Sequence, residues 1–297
     1  MFVAVSLPAQ VNLVPNPSFE DSTECPFNPA IEFASPWYDP NNGSSDYLHS
    51  CNSGNYGVPN NTLGHQNART GLAYAGAYTF TNNTFVFREY IQTPLISVLL
   101  VSRSYLIDFY VSLGDTFSIA THNIGLYFSD SAITTAASGG VINVIPQVAN
   151  DVVNNQLIDK IGWTKISGTY VANGSEQYIT IGNFLDDSSS DTTQLSEGSY
   201  PYSYYYIDDV SVICMNCPEI QENLFIPSYI SGDDFFEIQG LSENNELLIF
   251  NSLGQIIYKK QNYSNKFSAL QVNTGMYYYS LRMSNGNVSK GKLLVVN

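Results

Sequence analysis

The amino-acid sequence predicts an all-β protein with two β-sandwich domains. Aromatic and β-branched residues suit a pleated surface, and the 297 residues include 22 Tyr and 16 Phe. Short apolar runs alternate with turns rich in Asn, Gly and Ser, which favours a sandwich over alternating βαβ units. Charged residues make up only 12%, about half the usual share, so Asn, Ser, Thr and Tyr supply most of the polarity.

The first domain is predicted to open with a strand at Val11–Glu20, where two prolines suit an edge position. It is predicted to close with the apolar and aromatic strand Tyr204–Val212. Pairing of these two strands would bring Glu20 near Asp208.

Between them, the Asn173-Gly174 turn predicts a hairpin of Trp163–Val171 and Gln177–Phe184. Val148–Lys160 is the segment that best suits a helix. Further strands are predicted within residues 71–87, 88–94, 105–113, 124–128 and 141–145.

After Pro218 the composition changes, and roughly 80 residues of short strands and Asn/Gly turns predict a small Ig-like antiparallel sandwich. Its predicted strands are Phe235–Gln239, Glu246–Phe250, Gln255–Lys259, Met276–Met283 and Lys292–Val296.

The formal net charge of -15 argues against a nucleic-acid partner, because phosphate binding needs clustered Lys and Arg. The acidity is concentrated in residues 1–218, which hold 5 Lys and Arg against 19 Asp and Glu. Such a domain can supply oxygen ligands to a hard cation such as calcium.

Met1–Gln10 is typical of the end of a secretory signal, with an apolar run and small residues before a cleavage position; a plain N-terminal strand is the alternative. No later stretch approaches the ~20 apolar residues of a membrane span.

The four cysteines fit an exported protein. Cys25 and Cys51 lie in Pro-, Asn- and Gly-rich sequence and could form a disulfide that braces a long loop. Cys214 and Cys217 form a C-x-x-C that lacks the partner residues of a zinc site. A tight local disulfide or two linker thiols is therefore expected there.

Asn16–Glu20 has an Asn-x-x-Phe-Glu pattern, and Ile207–Val210 reads Ile-Asp-Asp-Val. With GVPNN, ARTGLAYAG and YITIGNF, these stretches make residues 11–212 resemble the carbohydrate-binding, galactose-binding-like jelly rolls. The resemblance is closest to a jelly-roll module common in secreted and envelope proteins of Bacteroidetes. It implies a jelly-roll β-sandwich without a particular ligand, because this fold serves many binding roles.

The second domain carries DFFEIQGL at 234–241, LIFNSLGQ at 248–255, GMYYY at 275–279 and KLLV at 292–295. It resembles the C-terminal sorting domain of the type IX secretion system. That resemblance implies recognition by the type IX secretion machinery and a location on the outer cell surface or outside the cell. A plain Ig-like module is the alternative.

The expected order is a residual signal peptide at 1–10, a galactose-binding-like jelly roll at 11–213, a linker at 214–221 and the sorting domain at 222–297.

A calcium site is predicted where the first domain opens and closes. In a strand of period 2, Asp208 shares a face with Val210, whereas Asp209 points to the surface. A buried carboxylate needs a cation or several hydrogen-bond donors. Related jelly rolls place a structural Ca2+ on this strand and on the Glu after the opening Phe. The resemblance therefore implies Glu20 and Asp208 as ligands, with a backbone carbonyl near Thr70–Gly71. Capping of backbone amides by Asp208 is the alternative.

Glycan recognition uses aromatic faces beside amide and carboxylate groups. Four aromatic residues in loop-rich sequence are the predicted contacts, although any single one is more often a packing residue: Trp37, Tyr38, Tyr47 and Tyr56.

The predicted function is a non-catalytic secreted or cell-surface module that binds a glycan or another surface polymer. An adhesin or structural protein with a protein partner is the alternative, and a glycoside hydrolase a distant third. The sequence has no G-x-S-x-G elbow and no H-E-x-x-H pair. The separation of two carboxylates in space cannot be read from sequence.

Overall fold

The computed structural model describes residues 11–81, 86–135, 138–217, 226–241, 244–283 and 288–297. The chain divides into two compact units, one over Asn12–Cys217 and one that includes Pro218–Asn297. The predicted signal peptide at 1–10 and residues 218–221 of the predicted linker lie outside the described residues. Within the described part, no helix is long and apolar enough to cross a membrane.

The first unit is built of strands and one short 3₁₀ helix, Ile31–Ala34. The strands are β1 Asp46–His49, β2 Asn60–Asn61, β3 Gly64–His65, β4 Ala73–Thr81, β5 Ile91–Pro94, β6 Ser104–Leu113, β7 Ile119–Thr121, β8 Gly125–Ser129, β9 Val148–Ala149, β10 Thr164–Val171, β11 Tyr178–Gly182, β12 Thr192–Gln194 and β13 Tyr202–Cys214.

Two main sheets form a jelly-roll β-sandwich, as predicted. The five-stranded sheet has the order β1-β4-β13-β6-β10, and the four-stranded sheet has the order β5-β11-β8-β9. Alternate residues of each strand enter one shared core, such as Ile107 and Phe109 of β6, Leu126 of β8 and Ile179 of β11. Short pairs β2-β3 and β7-β12 lie outside these sheets.

β13 lies at the centre of the five-stranded sheet, between β4 and β6. The N-terminal segment runs beside its end, but it makes one isolated bridge, Asn12 to Ile213, instead of the predicted strand Val11–Glu20. Pro15 and Pro17 lack the amide hydrogen that a continuous ladder needs, which explains the difference.

The predicted hairpin around Asn173-Gly174 is wrong. β10 belongs to the five-stranded sheet and β11 to the four-stranded sheet, so the turn crosses from one layer to the other. The Glu176 carboxylate accepts hydrogen bonds from the amides of Asn173 and Gly174 at 2.7 and 2.9 Å, which fixes this crossing.

The predicted helix at Val148–Lys160 is also wrong, because its first two residues form strand β9. Side-chain amides compete with the helix. Asn150 donates to the Asn155 carbonyl at 2.9 Å, and Asn155 donates to the Asn150 side chain at 2.8 Å.

Residues 50–68 cover the outer face of the five-stranded sheet. Tyr206 on this face donates to Asn61 Oδ1 at 2.9 Å, and Tyr74 donates to the Gln66 carbonyl at 3.0 Å. The disulfide between Cys25 and Cys51, with an S–S distance of 2.06 Å, braces the start of this segment. The loop-bracing disulfide predicted from sequence is therefore confirmed.

In the second unit, the strands are β14 Tyr229–Ser231, β15 Glu246–Phe250, β16 Ile256–Gln261, β17 Gly275–Arg282 and β18 Val288–Val296, with a 3₁₀ helix at Ala269–Gln271. The described strands form one sheet in the order β14-β18-β17-β15-β16. β14 pairs with β18 in parallel, which the antiparallel prediction missed. Phe235–Gln239 is not a strand: it makes a single bridge to Ser268 and inserts Phe236 and Ile238 into the core.

Candidate functional site

An open groove of about 440 Å³ lies at the end of β8, beside the turn that joins β10 to β11. Its lining combines half-buried rings with exposed or half-buried polar groups. The residues of this groove that the argument below uses are Tyr127, Ser129, Asp130, Gln147, Tyr170 and Asn173.

The Glu176 turn forms one wall of the groove. The buried Glu176 carboxylate accepts from the Tyr170 hydroxyl at 2.5 Å and from three successive amides, those of Asn173, Gly174 and Ser175, at 2.7 to 3.1 Å. Burial by itself would raise the pKa of Glu176, but these hydrogen bonds lower it below the ordinary value. The carboxylate is therefore ionised, and its hydrogen bonds stabilise the wall of the groove.

The ring of Tyr170 is held from both ends. It stacks on Phe128 with centroids 5.1 Å apart and an interplanar angle of 15°. Its hydroxyl also accepts from Asn173 Nδ2 at 3.0 Å. The opposite rim is tied to the same turn, since Ser175 donates to Asp130 Oδ1 at 2.8 Å. The groove is therefore preformed by contacts within the protein.

Tyr38, one of the four predicted contacts, lies close to this groove. Gln92 Nε2 donates to the Tyr38 hydroxyl at 2.8 Å and to the carbonyl of Ile133, which lines the groove, at 3.0 Å. Tyr178, opposite Ser129 in the sheet, lies near enough to Tyr38 to influence its titration. Burial, followed by the nearby Tyr178, raises the pKa of Tyr38.

The other predicted aromatic contacts do not join Tyr38. Trp37 and Tyr47 are 1% and 0% exposed. Trp37 donates its indole hydrogen to the Asn16 carbonyl at 2.9 Å, and Tyr47 donates to the Phe19 carbonyl at 3.0 Å. Their faces pack the core, so their prediction as ligand contacts is wrong. Tyr56 is half-buried and does not line the groove.

Glu20 and Asp208, the predicted metal ligands, both approach the segment 69–73. Glu20 accepts from the amides of Leu72 and Ala73 at 2.9 and 3.1 Å. Asp208 is fully buried and accepts from the amide of Arg69 at 2.9 Å. Burial raises the pKa of Asp208 to about 8, and the charge of Asp209 contributes.

Asp209 differs from the predicted surface residue. Its φ of +50° marks a bulge in β13 that breaks the period-2 alternation. The side chain turns back to accept from Ser18 at 2.7 Å and Thr70 at 2.5 Å, and it forms an ion pair with Arg69. Burial opposes ionisation, but these hydrogen bonds and Arg69 lower the pKa of Asp209.

Among the described residues, no group of three His, Cys, Asp or Glu side chains could hold a metal ion. The oxygen chemistry of Glu20 and Asp208 suits Ca2+, and a carbonyl of the 69–73 segment would have to complete the ligand set. Backbone amides of this segment already donate hydrogen bonds to both carboxylates, which meets part of their hydrogen-bonding capacity.

Cys214 and Cys217 form the tight local disulfide, with Cα atoms 5.6 Å apart. The sequence had left this pairing open against two linker thiols.

Residues 220–295 match the model of the CHU_C Type IX secretion signal domain. The chain carries a type IX secretion signal. The protein is accordingly exported to the cell surface or the extracellular space, as the resemblance of the C-terminal stretches implied.

No curated protein matches the chain. The CBM22-1 xylan-binding domain of Paenibacillus barcinonensis Xyn10C is 15% identical, covering 72% of this chain and 100% of that chain with a TM-score of 0.37. A cleaved adhesin domain of Lys-gingipain from Porphyromonas gingivalis is 10% identical, covering 67% and 96% with a TM-score of 0.33. TmCBM61, solved with β-1,4-galactotriose, is 13% identical, covering 69% and 99% with a TM-score of 0.31.

Sequence reasoning missed most of the groove. Tyr127 and Asp130 lie in and directly after β8, whereas Tyr170 lies in β10 of the other sheet, and only the fold brings the two strands together. One local signal was available: Glu176 follows the Asn173-Gly174 turn at a spacing that lets its carboxylate cap the turn amides.

Proposed function

We propose that the protein is an exported, non-catalytic binding module and that the groove beside β8 binds a neutral glycan. The main support is the lining of one preformed groove, which combines two aromatic rings with polar side chains. The rings are those of Tyr127 and Tyr170, and the polar side chains are those of Asp130, Gln147 and Asn173. A sugar ring offers an apolar face that packs on an aromatic ring and hydroxyl groups that bond to amides and carboxylates.

The charge of the groove supports a neutral ligand. Its two charged lining residues, Asp130 and Glu176, are both acidic, and none of its described lining residues is Lys or Arg. A uronic acid or sulfated sugar would meet like charge at Asp130 without a compensating cation. Neutral polysaccharides are therefore the proposed ligand class.

A binding role is favoured over hydrolysis by the position of the other carboxylates. Asp46 and Glu89 form a close acidic pair, but they are 7% and 2% exposed. A glycosidase needs both carboxylates at the scissile bond. A buried pair does not meet that requirement.

The test is a glycan array probed with the full chain in neutral buffer. Binding to neutral glycans in preference to uronic acid and sulfated glycans is the expected result. A lack of binding to every glycan, with attachment of the protein to protein-coated surfaces, would replace this proposal by the adhesin alternative.

We also propose that Glu20 and Asp208 bind a structural Ca2+ with a backbone carbonyl of the segment 69–73. The support is that both carboxylates converge on this segment and that Asp208 is buried without an ion pair to the side chain of a described Lys or Arg. Bound calcium would hold Asp208 ionised and link both ends of the first unit.

A further inference from the structure

A second set of oxygen atoms lies under the loop of residues 39–46 and shares no residue with the groove or with the Glu20–Asp208 junction. Its centre is the pair of buried carboxylates, Asp46 and Glu89, which are 7% and 2% exposed. Neither forms an ion pair with a described Lys or Arg. Two adjacent buried carboxylates need a proton or a cation to offset their mutual repulsion.

The partners of this pair leave the charge uncompensated. Asp46 Oδ2 accepts from the Tyr204 hydroxyl at 2.6 Å. Glu89 accepts from the Tyr78 amide at 2.9 Å and from the Ser44 hydroxyl at 3.2 Å. All of these donors are neutral. Burial raises the pKa of Asp46 to about 7 and that of Glu89 well above its ordinary value, with the neighbouring Asp46 charge adding to the effect on Glu89.

Asn41 supplies an independent observation. This residue is 0% exposed, and its Oδ1 has no hydrogen-bond donor among the described residues. Its Nδ2 donates to the carbonyls of Arg88 and Gly140 at 2.8 and 2.9 Å. Because both partners are acceptors, the amide cannot be flipped, and Oδ1 remains an unmatched acceptor. A buried acceptor without a donor is costly.

Asn41 Oδ1 and the Glu89 side chain both pack against Gly43. A Cβ at this position would lie 3.0 Å from Asn41 Oδ1 and 2.9 Å from Glu89 Cγ. The unmatched amide oxygen and the Glu89 side chain therefore converge on the same small space.

We propose that Asn41, Asp46 and Glu89 bind a calcium ion. The donor set consists of carboxylate and amide oxygens, which hard cations prefer, without the nitrogen or sulfur donors that favour zinc or copper. The ion would neutralise the carboxylate pair and supply Asn41 Oδ1 with its missing partner. It would also tie the loop at 39–46 to Glu89, just before β5.

The test is a titration of the metal-free full chain with Tb3+, read as terbium emission after excitation of tyrosine. Tyr204 is bonded directly to Asp46, so terbium at this site accepts energy from it. A saturable signal that Ca2+ displaces is expected. Glu89→Gln and Asp46→Asn should each weaken the affinity for terbium, measured from the emission titration, by roughly tenfold or more, because each removes one ligand charge.

Two controls separate this site from misfolding and from the junction site. In metal-free buffer, Glu89→Gln should be at least as stable as the native protein, because it replaces a buried carboxyl group that must be protonated or bear an unpaired charge. Asp208→Asn should leave the Glu89-dependent signal in place. The proposal is overturned if the native protein gives no saturable signal, if Glu89→Gln binds terbium as tightly as the native protein, or if Asp208→Asn alone removes all of the signal.

Discussion

The Tyr170 hydroxyl donates to Glu176 Oε1 at 2.5 Å, across the turn that carries the chain from one sheet to the other. The same carboxylate collects three backbone amides of that turn. One buried side chain thus holds both the turn between the two sheets and the wall of the groove.

Replacing Glu176 tests this double role. Glu176→Gln keeps the shape but puts an NH2 group where the carboxylate accepted amide or hydroxyl hydrogens, so we expect a loss of about 2 kcal/mol in the free energy of unfolding. Chemical denaturation measures it. Asp130→Asn, at an exposed residue that accepts a hydrogen bond from Ser175 of the same turn, should change stability by less than about 0.5 kcal/mol. Equal effects of the two substitutions would contradict the assigned role.

Glu176 also predicts a dependence on acid. Its folded-state pKa lies below the ordinary value, so its contribution is present above pH 4.5 and is lost as the pH falls through the folded pKa. Glu176→Gln should therefore flatten part of the acid side of the stability profile. A profile that keeps its native shape in the variant would exclude this contribution.

His122 predicts a second dependence at milder pH. Its Nδ1 accepts from the Leu157 amide at 3.2 Å, and its Nε2 lies 2.8 Å from the Thr193 hydroxyl. Burial lowers the pKa of His122 despite the nearby Asp191. The folded state favours the neutral ring, so this stability is present above pH 6.5 and is lost as the pH falls.

Denaturation between pH 7.5 and about 5 measures the His122 effect. The native protein should lose stability relative to His122→Gln as the pH falls across this window, whereas the raised pKa values of the buried acids Asp46, Glu89 and Asp208 contribute equally to both proteins. The exposed His65 offers a matched control: His65→Asn should behave like the native protein. A pH dependence that is the same with and without His122 would show that another group causes it.

Gly71 tests the packing of Glu20. Gly71 has a φ of +64°, and a Cβ there would lie 2.2 Å from Glu20 Cδ. Gly71→Ala should therefore displace the carboxylate from the Leu72 and Ala73 amides and cost about 2–4 kcal/mol. Gly232→Ala has a similar φ of +52° with nothing within 4 Å, so it should cost only about 1 kcal/mol. Similar costs would mean that backbone strain alone is responsible.

Calcium at the Glu20–Asp208 junction predicts ligand-dependent stability. At a Ca2+ concentration 100 times the Kd, a single site adds about 2.7 kcal/mol to the free energy of unfolding. Asp208→Asn should lose the stabilisation that calcium provides at the junction site and keep the stabilisation from the site at Glu89. Glu89→Gln should show the reverse, which separates the two proposed sites. Thermal unfolding with calcium and with chelator measures both. An Asp208→Asn variant with the full calcium response would remove the junction site.

Local pattern was sufficient to predict some features. The apolar run around Tyr204–Val212 identified the central strand. The expected inward face of Asp208 is wrong: Asp208 is buried, but it lies opposite the half-buried Tyr110, whereas Val212 lies opposite the core residue Ile107, so the bulge puts Asp208 on the other face of the sheet. Proximity in the fold, however, was not readable from the sequence. Trp37 lies in loop-rich sequence and was predicted to contact a ligand, but the folded sandwich buries it in the core.

Two further differences have local causes. Period-2 reasoning failed at Asp209, because a left-handed residue can enter a strand at a bulge that the sequence does not announce. The Asn173-Gly174 turn looked like a hairpin, because turn chemistry sets a reversal of direction and not the sheet that the next strand joins. The strands that flank β11, β5 and β8, decide that choice.

The most direct test of the binding groove is isothermal titration of the full chain with the neutral glycan that the array selects. The account predicts that Tyr127→Ala and Asp130→Asn each weaken binding by roughly tenfold, the loss of one good contact, and that Tyr56→Ala leaves it unchanged. Unchanged binding in both groove variants, or a loss confined to Tyr56→Ala, would contradict it.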